Sequence, residues 1–146
     1  MWPLGARTLS RLELGRLGEQ RAVWFYRLRG WSILGRNVRS RTGEIDIIVR
    51  RGKILAFVEV KTRQTLSAGE GWASVDARKQ TRLYDLANRY VAHHRLGNLT
   101  IRFDIISAFW TGRRLVLTQF KDAFGFVADE RQPWRVHDAT RPAQRR

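Results

Sequence analysis

Between Gly43 and Arg63 the chain sets three ionisable groups inside what is otherwise core-forming strand sequence. Residues 44–51 and 54–62 are rich in Ile, Val and Phe and are parted by Gly52 and Lys53, the composition of two strands joined by a tight turn. Gly at the first of two central positions suits a type II′ hairpin, a register that sets Arg51 opposite Ile54 and Asp46 opposite Glu59. Side chains alternate along a strand, so Glu59 and Lys61 share a face, and Glu44 and Asp46 line that face on the partner strand. The opposite face takes Ile45, Ile47, Val49, Val58 and Val60 and is expected to pack on the core.

Two carboxylates held within roughly 5 Å of each other repel, and a divalent cation removes that penalty. Mg²⁺ takes hard oxygen ligands, with one or two protein carboxylates completed by water and phosphate oxygens. Asp46 and Glu59 meet that requirement. A lysine two residues beyond the second carboxylate adds a compact positive charge that orients an attacking water or offsets charge growing on phosphate. The trio reads as phosphodiester hydrolysis. The competing reading is an exposed cross-strand ion cluster worth about 0.2 to 1 kcal/mol, and the hairpin alone leaves both open.

The chain of 146 residues fits one domain with a real hydrophobic core. Its 28 Lys and Arg against 13 Asp and Glu give a formal charge of +15, which points to a polyanion partner. Arg predominates, as bidentate phosphate contacts favour; an anionic membrane surface or a merely solubilising charge are the alternatives. With no Cys, a disulfide framework and a Cys-based zinc site are excluded. No segment has the apolar run of a signal peptide or a membrane span. The chain therefore reads as soluble and cytoplasmic, without a membrane partner.

From about Arg11 to Arg29 an apolar stripe of Leu14, Leu17, Gly18, Ala22, Phe25 and Leu28 predicts an amphipathic helix stopped by Gly30. Gly18 and Ala22 form a notch where helix can approach sheet. Glu19 flanks the stripe, aimed along the sheet surface or simply solvated. Trp31 to Arg39 is strand-like with a bend at Gly35, and residues 40–43 turn into the hairpin. Arg36, Arg39 and Arg41 there, with Arg63 at the end of the Glu59 strand, are candidate nucleic-acid contacts or solvated charges. Residues 64–71 read as a loop beside the site.

A second helix is expected from a cap at Ser74 or Asp76 to about His94, burying Val75, Leu83, Leu86, Ala87, Tyr90 and Val91. Lys79 interrupts that face: Lys79 and Gln80 either touch substrate or snorkel. Strands follow at 99–109 and 115–120 about a turn at 111–114. From about residue 128 the chain has little periodicity and reads as a flexible basic tail after a domain spanning 1–127.

The order helix, three-strand meander, helix, strand, strand now carries Gly18-Glu19-Gln20-Arg21-Ala22 on the first helix, Gly43-Glu44-Ile45-Asp46 on the second strand and Phe57-Val58-Glu59-Val60-Lys61-Thr62-Arg63 on the third. With Val75, Lys79 and Arg102-Phe103-Asp104, these motifs resemble the PD-(D/E)XK nuclease superfamily. The likeness is nearer to the YraN-like family, itself similar to archaeal Holliday junction resolvases, and covers about Leu14 to Phe124. It implies a restriction-endonuclease-like α/β/α core with a mixed five-stranded sheet in αβββαββ order. Asp46 and Glu59 would hold Mg²⁺, or Mn²⁺ in its place, with Lys61 as catalytic cation and Glu19 as an accessory acid. The activity implied is endonucleolytic cleavage, of DNA more than RNA and of branched or damaged DNA in particular, by a chain that pairs as a homodimer. A nucleic-acid-binding module that keeps the site without turnover is the alternative.

Overall fold

Helix α1 covers Arg11–Arg27 and opens on a capping box: Ser10 Oγ accepts from the Glu13 amide, and the Glu13 carboxylate accepts from the Ser10 amide at 2.9 Å. It ends through Leu28 into Gly30, whose φ of +78° is the left-handed turn glycine makes without strain. The computed structural model describes residues 8–64, 77–124, 126–129 and 132–136.

After α1 come β1 (Ser32–Ser40), β2 (Gly43–Arg51), β3 (Ile54–Arg63), α2 (Ala77–His93), β4 (Thr100–Trp110) and β5 (Leu115–Phe120). The five strands form one mixed sheet in the order β1-β2-β3-β4-β5. Antiparallel pairing joins β1, β2 and β3 as a meander, while β3 and β4 run parallel over ten residue pairs, from Ile54↔Thr100 to Arg63↔Phe109. A parallel pair needs a crossover, and α2 supplies it. The β2–β3 register is the expected one, with Arg51 opposite Ile54. Gly52 has φ +58° and Lys53 has no positive φ, the pattern of a type II′ turn. The expected irregularity at Gly35 is present as a register shift between Ile33 and Gly35.

A core lies on each side of the sheet. On one, Ala22, Val23 and Tyr26 of α1 pack on Ile47, Val49, Ala56, Val58 and Ile106, with Trp31 at the margin. On the other, Leu83, Tyr84, Leu86, Ala87 and Val91 of α2 pack on Ile48, Leu55, Phe57, Phe103 and Ile105. Both faces are therefore covered, and the Asp46 face is not the wet side of a two-layer sheet. Ile45 departs from the expected alternation. It packs with Phe57 and Leu83 on the α2 side while Ile47 packs on the α1 side, so the faces switch across Asp46, where the β2–β3 pairing ends. Tyr84 joins the buried stripe of α2, a position that helical spacing alone did not mark.

The notch expected on α1 is a point of contact. A Cβ at Gly18 would overlap Thr62 Oγ1 and stand 3.2 Å from Thr62 Cβ, so only glycine lets α1 approach β3 this closely. Two further strands, β6 (Phe126–Asp129) and β7 (Gln132–Val136), pair as a separate antiparallel hairpin, where the sequence suggested no element. Ser74, Val75, Asp76, the loop beyond Gln64 and the basic chain end fall outside the described residues. Among the described residues no helix is long and apolar enough to cross a membrane. The α/β/α core, with its five-stranded mixed sheet in αβββαββ order, is a restriction-endonuclease-like fold.

Candidate functional site

The β2–β3 backbone ladder runs from the turn to Ile47↔Val58. Beyond that pair the two strands part, and the next free amide of β3 is taken by a side chain: Val60 N–H donates to Asp46 Oδ2 at 2.7 Å. Glu59, at the same level, is only 8% exposed. Its Oε1 accepts from Lys79 Nζ of α2 and stands 3.3 Å from Lys61 Nζ. The expected trio is thus gathered in one place, and a second lysine completes it.

Electrostatics record how close the acids are. Burial, then the charge of Glu59, push the Asp46 carboxyl up from 3.8 to about 7. The charge of Glu19 adds to the rise, while the Val60 amide and Lys79 oppose it. Burial, then the neighbouring Lys79, hold Lys61 below the ordinary lysine value despite the pull of Glu59. Burial also works against the charge on Lys79, but its hydrogen bond to Glu59 and the lysine and acids around it outweigh that penalty and the net shift is upward. Two lysines on one carboxylate oxygen are therefore unequal: Lys79 is the fixed cation and Lys61 the one readier to lose a proton.

Glu19 is half-buried on α1. Asn37 of β1, with its amide oriented to satisfy its neighbours, donates to Glu19 Oε2 at 3.2 Å and to Glu44 Oε1 at 3.0 Å. Asn37 has φ +48° inside a strand, a conformation Asn tolerates better than most residues. Sequence spacing did not single it out; an Asn within a basic, strand-like run two residues past a bend was the available signal.

The remaining expected contacts are dispersed. Arg36 and Arg41 are exposed on β1 and in the turn after it. Arg39 pairs with Glu44 at 3.3 Å. Arg63 ends β3 and Gln80 lies in the first turn of α2, both partly exposed. Lys79 is paired with Glu59, with its side chain 37% exposed. Among the described residues no three His, Cys, Asp or Glu side chains converge closely enough to form a metal cage. Two carboxylates on adjacent strands, one of them carrying a raised pKa, nevertheless suit a hard dication that keeps most of its ligands as water and phosphate.

A second buried acid is marked in the sequence only as part of the Arg102-Phe103-Asp104 motif, with no role given to it. Asp104 of β4, fully buried, accepts from Tyr26 Oη at 2.8 Å, from Arg102 Nε and Nη2 at 2.8 Å each, from Gln119 Nε2 at 3.2 Å and from the Asp122 amide at 3.0 Å. Arg102 in turn lies 5.0 Å from the Trp31 ring centre.

A family model described as "Uncharacterised protein family UPF0102" matches residues 18–108, the stretch holding Glu19, Asp46, Glu59, Lys61 and Asp104. Among curated relatives, a UPF0102 protein of Syntrophotalea carbinolica is 42% identical over 117 residues, 80% of this chain and 95% of the relative. One from Dictyoglomus turgidum is 46% identical over 99 residues, 68% of this chain and 84% of its own length. One from Myxococcus xanthus is 37% identical over 119 residues, 82% of this chain and 94% of its own. On that extent of identity and coverage, the chain belongs to the uncharacterised family UPF0102, the YraN-like family.

Proposed function

We propose that this protein is a metal-dependent endonuclease that hydrolyses phosphodiester bonds, with DNA as its substrate, branched or damaged DNA foremost. The observation that carries the reading is the meeting of Asp46, Glu59 and Lys61 where β2 and β3 part, in a chain of formal charge +15. On this reading residues 1–127 are the nuclease-like domain and 128–146 a basic extension of it.

Asp46 and Glu59 would hold the ion, Mg²⁺ or Mn²⁺, which when bound supplies positive charge to the phosphoryl oxygens and a more acidic water. Lys61, 3.3 Å from Glu59, is placed to orient the attacking water or to offset charge growing on the phosphate. Lys79, held as ammonium by Glu59, fixes that carboxylate and offsets charge building on the phosphate. Glu19, tied to Asn37, closes the far side of the site as an accessory acid.

The test is a cleavage panel of duplex, flap and four-way-junction DNA with and without Mg²⁺, comparing the native protein with Asp46→Ala. Cleavage is expected to fall by more than about 100-fold in the variant, at least the loss that removing a mere supporting residue of a metal site can cause, while binding persists. Equal cleavage by both proteins, in preparations cleared of contaminating nuclease, would count against the proposal. One observation favours binding without turnover: Glu59 is already paired with two lysines. That reading predicts strongly salt-dependent binding and no products with either metal.

A further inference from the structure

A cleft of about 390 Å³ runs beside the acidic site, between the start of β2 and the first turns of α2, lined by Thr42, Gly43, Glu44, Arg78, Lys79 and Arg82 over a floor of Leu83 and Leu86. Two of its lining residues belong to the site already described. Lys79 is bonded to Glu59, and Glu44 is held by Arg39 and Asn37. The cleft therefore shares Lys79 with the place where Asp46 and Glu59 meet.

Its wall on α2 is basic. Arg78 and Arg82 are four residues apart on a helix, so their side chains stack on one face, and both are exposed. Neither guanidinium makes a hydrogen bond or ion pair to any described residue, unlike Arg39, Arg51 and Arg102, which are engaged. The carboxylate of Glu44 across the cleft has its partners already. Two like charges a turn apart, added to Lys79, are an electrostatic cost that an anion relieves. Guanidinium forks match phosphate oxygens in geometry.

From this geometry we infer that the cleft is a phosphate-binding subsite in which Arg78 and Arg82 hold a phosphodiester of the same nucleic-acid strand, flanking the one presented to Asp46 and Glu59. The inference rests on the nuclease-like reading of the neighbouring site, since a flanking phosphate has meaning only relative to it. It sets the course of the strand along the trough between the β1–β2 turn and α2.

The experiment measures binding of a short fluorescein-labelled DNA duplex in EDTA as a function of salt, so that no turnover is needed. Each phosphate contact contributes about 0.9 to the slope of log K against log salt on duplex DNA. The double variant Arg78→Gln and Arg82→Gln is expected to lower that slope by about 2, while Arg113→Gln with Arg114→Gln, on the β4–β5 turn, leaves it unchanged. Circular dichroism of both variants verifies the fold. An unchanged slope in the cleft variant, an equal fall in the turn variant, or no salt-dependent binding by the native protein would each overturn the inference. If the duplex is bound as expected but never cut with Mg²⁺ or Mn²⁺, the catalytic reading fails, and Arg78 and Arg82 stand as phosphate contacts of a module that binds without turnover.

Discussion

Two places in this sheet bury carboxylates, on adjacent strands and opposite faces. In the parallel register of β3 and β4, Val58 lies beside Asp104 and Glu59 beside Ile105, so the two acids are near neighbours. Asp104 turns toward α1 and meets a phenol, a bidentate guanidinium, an amide side chain and a backbone N–H. Its negative charge is fully answered by groups of the chain itself. Glu59 turns toward α2, and its neighbour Asp46 is pushed to about 7 by burial and by the acids beside it. One arrangement leaves nothing for a ligand to relieve. The other keeps an electrostatic strain that a cation could cancel, so one carboxylate is fully answered within the fold and the other pair is not.

The contrast breaks most visibly through Asp104. Asp104→Ala strands the Arg102 guanidinium, whose side chain is 17% exposed, against Trp31 without its partner. Unpairing a buried ion pair costs about 3 to 5 kcal/mol, and a large fall in the urea midpoint is expected; a midpoint within error of the native one would show that Asp104 is dispensable.

Asp46→Asn should act in the opposite direction. An acid whose pKa is raised by folding holds its proton longer in the folded state, so its ionisation subtracts stability as pH climbs from 3.8 toward about 7. Asn keeps an oxygen to accept from Val60 N–H and removes the charge. At pH 8 without metal the variant is expected to gain on the order of 4 kcal/mol at most; the gain should vanish below pH 4, and Mg²⁺, by stabilising the native protein, should narrow it. A variant no more stable than the native protein at pH 8 would mean that Asp46 carries no such strain.

A smaller effect sharpens the Asp104 side. Tyr26→Phe removes one neutral donor of five while leaving the ring in its T-shaped contact with Trp31, and burial with the charge of Asp104 already keeps that hydroxyl protonated. A loss of about 1 kcal/mol, measured by the same urea titration, is the expected outcome. A loss as large as that of Asp104→Ala would make the phenol, not the guanidinium, the principal partner.

Much of the site is legible in the sequence because it depends on local rules. A Gly-led two-residue turn sets register, register sets Asp46 against Glu59, and alternation sets Lys61 beside them. The parts that are not legible depend on tertiary geometry. Ile45 changes sides because β2 is released from β3 at Asp46, and nothing in its own sequence marks the end of pairing. Asn37 is aimed by a positive φ that hydrophobic patterning does not register. Lys79 interrupts an apolar helix face in the sequence for a reason that emerges only when α2 lies over Glu59. Asp104 sits between Phe103 and Ile105 in a run of core residues, and its burial becomes intelligible once Tyr26, Arg102 and Gln119 converge on it from three elements.

The seat of Gly18 on Thr62 has a mechanical meaning. Glu19 follows that glycine by one residue and Lys61 precedes that threonine by one. The contact works like a dowel between two boards, fixing where the helix sits along the strand at the very level where each supplies a charged group. Sliding the helix by one position would drive a side chain into Thr62, so the spacing between the acid on the helix and the amine on the strand is set by the absence of a single carbon atom.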